Sequence, residues 1–278
     1  MSEARPGGVL YIVSTPIGNL GDMTRRAVET LQGVDAILAE DTRHTRHLLD
    51  HYGIATPMEP YHEHIEARSA PRIVERLRDG ARLALVSDAG TPLLSDPGAR
   101  LVRAVVDAGL SVVPIPGASA LLAALVASGL GDGPFTFFGF PDRKGTARRT
   151  VFARAVASPY TSVFYEAPGR VAATLEELAE SGAGGRSAVV ARELTKQFEE
   201  LRRGTVEELA AYYHESPPRG EVVILLEGAP PGVPNLDAMR DRARALRADG
   251  LSTRDVARAL ADEFGAPRNV AYRAAQDA

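Results

Sequence analysis

The strongest constraint on this chain is the alternation of short, β-branched apolar runs with amphipathic segments through its first half. The apolar runs predict strands at Val9–Ser14, Ala36–Ala39, Leu83–Ser87 and Ser111–Pro114. The segments between or after them predict helices at Thr24–Leu31, Arg43–His51, Ala67–Asp79 and Gly98–Ala108. Strands that alternate with helices form a mostly parallel sheet that is covered on both faces. The sequence therefore predicts an α/β fold.

The second half predicts another α/β unit, which we expect to contain a mixed sheet. Its strands are predicted at Phe135–Gly139, Thr161–Tyr165, Ser187–Arg192 and Glu221–Glu227. Helices are predicted at Ser119–Ser128, Thr146–Ala157, Arg170–Glu180 and Thr205–Tyr213. A chain of 278 residues is long enough for two domains of ordinary size. We therefore expect an N-terminal α/β domain at 1–118 and a C-terminal α/β domain at 119–229.

A proline-rich connector, Ala229–Pro234, follows the second unit and cannot continue a helix or a strand. Beyond it we predict a helical extension at 235–278, with helices at Asp237–Arg247, Thr253–Glu263 and Pro267–Ala275. Ser252 and Asp255 occupy capping-box positions, with Asp instead of the usual Glu or Gln. The outline resembles a helix-turn-helix. A small packing appendage explains it as well as a nucleic-acid-binding module does.

Composition excludes several classes of protein. The chain has no cysteine, which excludes disulfides, thiolate metal sites and cysteine nucleophiles. Its net charge of −4 argues against nonspecific coating of nucleic acid. No apolar run approaches the ~20 residues that a membrane-spanning helix needs, and no export signal precedes the first strand. We therefore expect a cytoplasmic protein without membrane association.

The segments that suggest ligand binding lie at the ends of predicted strands. They are Ser14–Asp22, Ser87–Gly98 and Pro116–Ala120, and all three are rich in Gly, Pro, Ala, Ser or Thr. Small residues there let a ligand approach the backbone closely, and α/β sheets bind ligands at strand ends. A tight structural turn explains any one of them, but three at successive strand ends favour a binding site. The usual dinucleotide Gly-x-Gly-x-x-Gly loop and the phosphate-binding P-loop are both missing.

Two polar clusters leave their roles open. Between Asp142 and Arg154 the chain carries five basic residues and one acidic residue, which fits a solvated helix start or a phosphate contact. Five of the six histidines lie between His44 and His64, with Glu40, Asp41 and Glu63 nearby. A metal site would need converging imidazoles and carboxylates. Histidines beside arginines more often line a substrate cleft or the surface, so we predict no metal.

Several motifs resemble those of the tetrapyrrole-methylase superfamily, and more narrowly its small-subunit rRNA methyltransferase I family of cytidine-2′-O-methyltransferases. The motifs of the first half are Leu10–Asn19, Glu40–Leu49, Ser87–Gly98 and Pro116–Ala120. Those of the second half are Phe138–Lys144, Phe164–Arg170, Val190–Lys196 and Gly220–Ile224. They cover nearly the whole chain in order. The departures are Gly169 in place of a frequent histidine, a proline shifted to Pro141, and Arg219 in place of a frequent lysine.

The resemblance implies two α/β domains with S-adenosylmethionine in the cleft between them. The cofactor-side candidates of the first domain and of the helix after it are Pro16, Ser87, Asp88, Ala89, Thr91, Pro92, Ser119 and Ala120. Those of the second domain are Tyr165, Ala191, Leu194 and Val222. Small side chains leave space for adenine and the methionine chain. Asp88 is expected either to pair with the ligand's ammonium group or to cap a turn.

The resemblance also implies a substrate, the 16S rRNA of the small ribosomal subunit, and a homodimer. A base near the ribose hydroxyl would accelerate transfer by roughly 10²–10⁴-fold. We expect Glu40 and Asp41 to position the substrate and His62 or His64 to take the proton. The alternative for the segment at 40–45 is a structural role as a helix cap. Lys196 would act as base only with a depressed pKa, and otherwise would hold a phosphate. The RNA-side candidates are Arg43, Arg46, Arg143, Lys144, Arg148 and Arg149.

Two other functions remain open. One is methylation of a small tetrapyrrole on the same fold. The basic cluster between Asp142 and Arg154 and the helical extension argue against it. The other is a non-catalytic RNA-binding or ribosome-assembly factor, against which the intact cofactor segments argue.

Overall fold

The computed structural model of the chain describes residues 8–230, 236–264, 266 and 268–277, apart from a few side chains. The first domain contains a five-stranded sheet in the order β3-β2-β4-β1-β5, with every pair parallel. Its strands are β1 Val9–Val13, β2 Ala36–Ala39, β3 Met58–Pro60, β4 Arg82–Val86 and β5 Ser111–Ile115. Its helices are α1 Arg25–Gly33, α2 Thr42–His51, α3 Glu63–Arg78 and α4 Ala99–Asp107.

The central strands of this sheet are apolar because both of their faces are covered. Ile37 and Ala84 pack on one face with Leu31 of α1. Leu38 and Leu83 pack on the other with residues of α3 and α4. Neighbouring residues of one strand thus enter different cores, as successive side chains of a strand must. The predicted parallel sheet is confirmed.

The second domain has a five-stranded sheet in the order β6-β7-β10-β8-β9. Its strands are β6 Phe135–Phe137, β7 Thr161–Glu166, β8 Ser187–Arg192, β9 Glu200–Thr205 and β10 Val222–Leu226. Its helices are α5 Ala120–Ser128, α6 Thr146–Ala157, α7 Val171–Leu178 and α8 Val206–Glu215. Only the β6–β7 pair is parallel, so the predicted mixed sheet is confirmed.

The two sheets are formed by residues 9–115 and 135–226, and the predicted boundary at 118 falls between them. Helix α5 packs its Leu121 and Leu125 against Val163 and Val189 of the second sheet. Ile17, from the loop after β1, joins the same core. The first domain therefore contacts the second through the loop that follows its first strand.

The three C-terminal helices α9 Leu236–Ala248, α10 Thr253–Phe264 and α11 Arg268–Gln276 share a core of their own, which includes Met239, Val256 and Leu260. The Ser252 hydroxyl accepts a hydrogen bond from the Asp255 amide at 3.2 Å, as the capping prediction requires. Residues 231–235, in the predicted connector, lie outside the described part of the chain. None of the helices described is both long and apolar enough to span a bilayer.

Candidate active site

A cavity of about 370 Å³ lies between the two domains, within the size range of small-molecule sites. The loops after β1, β2, β4 and β5 line it from the first domain, and the ends of β7 and β10 from the second. The carboxyl ends of parallel strands meet at one edge of a sheet, which is where such sheets bind ligands. The strand-end segments at 14–22, 87–98 and 116–120 all contribute to its lining.

Eight of the twelve predicted cofactor residues line this cavity: Asp88, Ala89, Thr91, Ser119, Ala120, Tyr165, Leu194 and Val222. The other four, Pro16, Ser87, Pro92 and Ala191, are buried and are not among its lining residues. The Ser87 hydroxyl donates to the carbonyl of Ala89 at 3.4 Å. Ala191 is fully buried in the core that also holds Ile17. These four residues are therefore buried near lining residues in the sequence without forming the lining themselves.

The polar part of the lining is acidic. Among the described residues it contains the carboxylate residues Glu40, Asp88, Asp96, Glu166 and Glu221 and no lysine or arginine. Burial, together with repulsion from Asp88 and Asp96, raises the pKa of Glu40. Burial raises the pKa of Asp96, and the Asp88 charge adds to the effect. The cavity therefore suits a ligand that carries positive charge.

Two strained loops hold apolar residues against the cavity. Within the described ranges the non-glycine residues with positive φ are Leu93, Ser95, Glu193 and Thr195, with φ of 73°, 72°, 51° and 67°. Each pair flanks one leucine, Leu94 or Leu194, and both leucines line the cavity. Non-glycine residues in this region cost of order 1–3 kcal/mol each and concentrate at functional sites.

Of the predicted catalytic residues, Glu40 lines the cavity and Asp41 turns away from it. Asp41 caps α2, and its carboxylate accepts hydrogen bonds from the amides of Arg43 and His44 at 2.8 and 3.4 Å. Its own amide donates to Asp88 Oδ1 at 3.0 Å. The hydrogen bond from Arg43 keeps the pKa of Asp41 below its usual value. Asp88, which lines the cavity, thus accepts a hydrogen bond from the turn that precedes α2.

Of the two histidines expected to take the proton, only His62 has a described side chain. His62 precedes α3 and is absent from the described lining, while the side chain of His64 lies outside the described residues. His44, His47 and His51 are exposed on α2. Among the described residues, no group of three or more His, Asp or Glu side chains is arranged to hold a metal ion.

Lys196 does not have the depressed pKa that a base would need. Its Nζ pairs with Glu193 at 2.9 Å and with Glu221 at 3.2 Å. Partial burial lowers the pKa of Lys196, but hydrogen bonds to these two carboxylates outweigh it and raise the pKa. Lys196 therefore stays charged beside the cavity.

Most of the predicted RNA-side residues are on the surface. Arg43, Arg46, Arg143, Lys144 and Arg149 are exposed. The prediction for Arg148 is wrong, because this residue is only 5% exposed. It donates to Glu177 at 2.6 Å and to Thr174 at 2.8 Å, and it lies 3.6 Å from the buried Glu166. A guanidinium held this way cannot reach a phosphate.

Sequence reasoning missed three notable lining residues, Asp96, Phe140 and Glu221. All three lie inside or beside motifs that already suggested the site. The available signal for Asp96 was its position, because it is an acidic residue that follows Ser87–Pro92 within the same strand-end segment. No signal distinguished Phe140 from Phe137 and Phe138, which are only partly buried and precede the turn at Gly139.

Comparison with known proteins identifies the family. The family model described as Tetrapyrrole (Corrin/Porphyrin) Methylases matches residues 9–210. The chain belongs to the tetrapyrrole methylases. A Synechocystis sp. protein named Ribosomal RNA small subunit methyltransferase I is 47% identical over 269 residues, and the match covers 96% of each chain. A Xylella fastidiosa protein of the same name is 48% identical, and the match covers 95% of this chain and 98% of that one.

Solved structures of two methyltransferases share the fold. The methyltransferase CobJ matches with a TM-score of 0.59 at 21% identity, covering 80% of this chain and 95% of that one. The uroporphyrin-III C-methyl transferase of Thermus thermophilus complexed with S-adenyl homocysteine matches with a TM-score of 0.56 at 20% identity, covering 80% and 97%. At such identities the likeness supports the fold alone, and it confirms the predicted fold class.

The cavity fits S-adenosylmethionine by its own chemistry. The ligand has a flat aromatic adenine, two cationic centres, a sulfonium and an ammonium, and one carboxylate, so its net charge is positive. The cavity of this tetrapyrrole methylase has apolar walls at Ala89, Ala120 and Val222 beside the carboxylates of Asp88 and Asp96. These are the residues that would hold the cofactor.

Proposed function

We propose that the protein uses S-adenosylmethionine to methylate the ribose 2′-oxygen of a decoding-centre cytidine in 16S rRNA. The observation that carries the proposal is the acidic cavity between the domains, in a chain nearly half identical to proteins named Ribosomal RNA small subunit methyltransferase I. Methyl transfer from a sulfonium is an in-line displacement, so alignment in the cavity supplies much of the rate. S-adenosylmethionine, when bound, supplies the methyl group.

In this proposal Glu40 takes the proton from the ribose hydroxyl. It lines the cavity, whereas Asp41 caps α2 on the outside. Its raised pKa makes it a better proton acceptor than an ordinary carboxylate. His62 and Lys196 become positioning candidates, since neither lines the cavity and Lys196 stays charged.

The exposed basic residues Arg43, Arg46, Arg143, Lys144 and Arg149 are proposed to contact rRNA phosphates. Such contacts position a nucleic acid without reading its sequence. The 16S rRNA within the small subunit is the proposed partner, the cytoplasm the proposed location and a homodimer the proposed assembly. The small-molecule alternative is disfavoured by the 47–48% identity to proteins named Ribosomal RNA small subunit methyltransferase I.

The test uses small subunits from a strain that lacks this gene. Wild-type protein should add one 2′-O-methyl group, located by mass mapping of the 16S rRNA. Glu40→Gln should lower kcat by roughly 10²–10⁴-fold, because it removes the base. The matched control, Asp41→Asn, keeps a side chain that caps helices as well as Asp does and should change kcat little. Methylation of a base atom, or equal losses in the two variants, would contradict the proposal.

A further inference from the structure

Phe140 lies at the rim of the cavity, and much of its ring is exposed. It lines the cavity and is 56% exposed. Its ring packs at 5.3 Å from the ring of Tyr165, and Tyr165 in turn packs against Phe137 at 4.8 Å. One side of the Phe140 ring is therefore supported by protein while much of the ring remains open to solvent. Leu94, which is 37% exposed, lines the same cavity, so exposed apolar surface is concentrated at its mouth, as it is at interaction sites.

The loop that carries Phe140 is held in place. Gly139 and Gly145, with φ of 64° and 97°, bound it at its two ends. Arg148 donates to the carbonyl of Asp142 at 3.1 Å, and Arg170 donates to that of Pro141 at 3.4 Å. Both arginines are fixed from below by Glu166, at 3.6 and 2.5 Å. The ring is thus preorganised, so a partner that stacks on it need not order the loop.

The surroundings of Phe140 favour a nucleic acid. The same loop carries the exposed Arg143 and Lys144, and Arg149 is exposed on the first turns of α6. Proteins that bind single-stranded RNA combine basic groups for the backbone with exposed aromatic rings on which bases stack. We propose that Phe140 is a stacking platform for a nucleobase of the RNA substrate, at or next to the methylated nucleotide. This inference rests on the proposed function and adds the residue that holds the substrate base.

The alternative occupant of the ring is the adenine of the cofactor. The apolar residues Ala89, Ala120 and Val222 already provide walls for an adenine within the cavity. Phe140, in contrast, lies at the rim of the cavity, in the loop between Gly139 and Gly145 that also carries Arg143 and Lys144. The RNA base is therefore favoured, and the two occupants separate in an assay that measures both affinities.

The experiment measures kcat and KM for small subunits that lack the modification, and the dissociation constant of S-adenosylmethionine by calorimetry. Phe140→Ala should raise KM for the subunit by about 5- to 150-fold, the effect of losing one base–aromatic stack. Its affinity for S-adenosylmethionine should stay within about twofold of wild type. Phe140→Tyr should restore KM, whereas Phe140→Leu, which keeps apolar bulk without an aromatic face, should not. Phe135→Ala is the matched control, an exposed phenylalanine at the far end of β6.

Three results would overturn the stacking role in an active enzyme. They are an unchanged KM in Phe140→Ala, a loss of S-adenosylmethionine affinity as large as the rise in KM, and full rescue by Phe140→Leu. A wild-type protein that transfers no methyl group to the subunit would instead overturn the proposed function, and the stacking role with it.

Discussion

Replacing Arg148 with alanine should destabilise the protein but should not remove one of its proposed contacts with RNA phosphates. The guanidinium loses partners at 2.6 Å on Glu177, 2.8 Å on Thr174 and 3.1 Å on the carbonyl of Asp142. Breaking a buried ion pair costs about 3–5 kcal/mol. Glu166 keeps Arg170 at 2.5 Å and Glu177 is partly exposed, so the lower end of that range, about 3 kcal/mol, is expected. In a chain of this size that lowers Tm by roughly 6–12 °C.

The adjacent residue supplies the matched control. Arg149 is exposed and donates to the Thr146 hydroxyl at 3.2 Å. Arg149→Ala should leave Tm nearly unchanged, since surface substitutions usually stay within about 0.5 kcal/mol. It should reduce the slope of log affinity for the subunit against log salt by about 1, as the loss of one phosphate contact does. The assays are calorimetric unfolding and subunit binding at several salt concentrations. A stable Arg148→Ala variant with a reduced salt slope would refute the reasoning.

Two further outcomes follow from the site. Because the pKa values of Glu40 and Asp96 are raised, both carboxyls become protonated at a higher pH than ordinary ones. The affinity for S-adenosylmethionine, measured by calorimetry, should therefore begin to fall with decreasing pH at a pH above about 4, where ordinary carboxyl groups titrate. Asp96→Asn should make this fall less steep. An affinity that does not change with pH would contradict the prediction. Gly18→Ala should lower Tm, since a Cβ at Gly18, where φ is 153°, would overlap the side chain of Lys196. Lys196→Ala should relieve part of that loss in a double-mutant cycle, and strict additivity would contradict the overlap.

The strands and helices of the fold could be predicted where burial imposes a pattern. The central strands β2 and β4 are apolar because both of their faces are covered, and such runs stand out in the sequence. The prediction missed β3 and β9. Strand β3 has three residues and ends in Pro60, while β9 is a polar edge strand, Glu200–Thr205. Edge strands bury little, so their sequences lack the apolar signature.

The site could be predicted by position better than by role. The turns rich in small residues pointed to the right strand ends, because backbone approach needs small side chains whatever the ligand. Which side chain faces the cavity depends on local geometry that sequence does not carry. Asp41 and Glu40 are neighbours, yet only Glu40 lines the cavity, since Asp41 is engaged in capping α2. Arg148 and Arg149 are neighbours too, and the helix turns one inward and the other outward.

The end of β7 contacts both the cavity between the domains and the loop that carries Phe140. Tyr165 lines the cavity, and its hydroxyl accepts a hydrogen bond from the Leu121 amide at 3.1 Å, at the start of α5. The next residue, Glu166, also borders the cavity, and its buried carboxylate pairs with Arg148 and Arg170. These arginines hold the loop that carries Phe140, whose ring returns to pack on Tyr165. Two adjacent residues of one rigid strand therefore fix both the cofactor side and the proposed substrate side. Methyl transfer depends on alignment of the two reactants, so in the proposed reaction we expect this shared anchor to align them more precisely than two independent loops would.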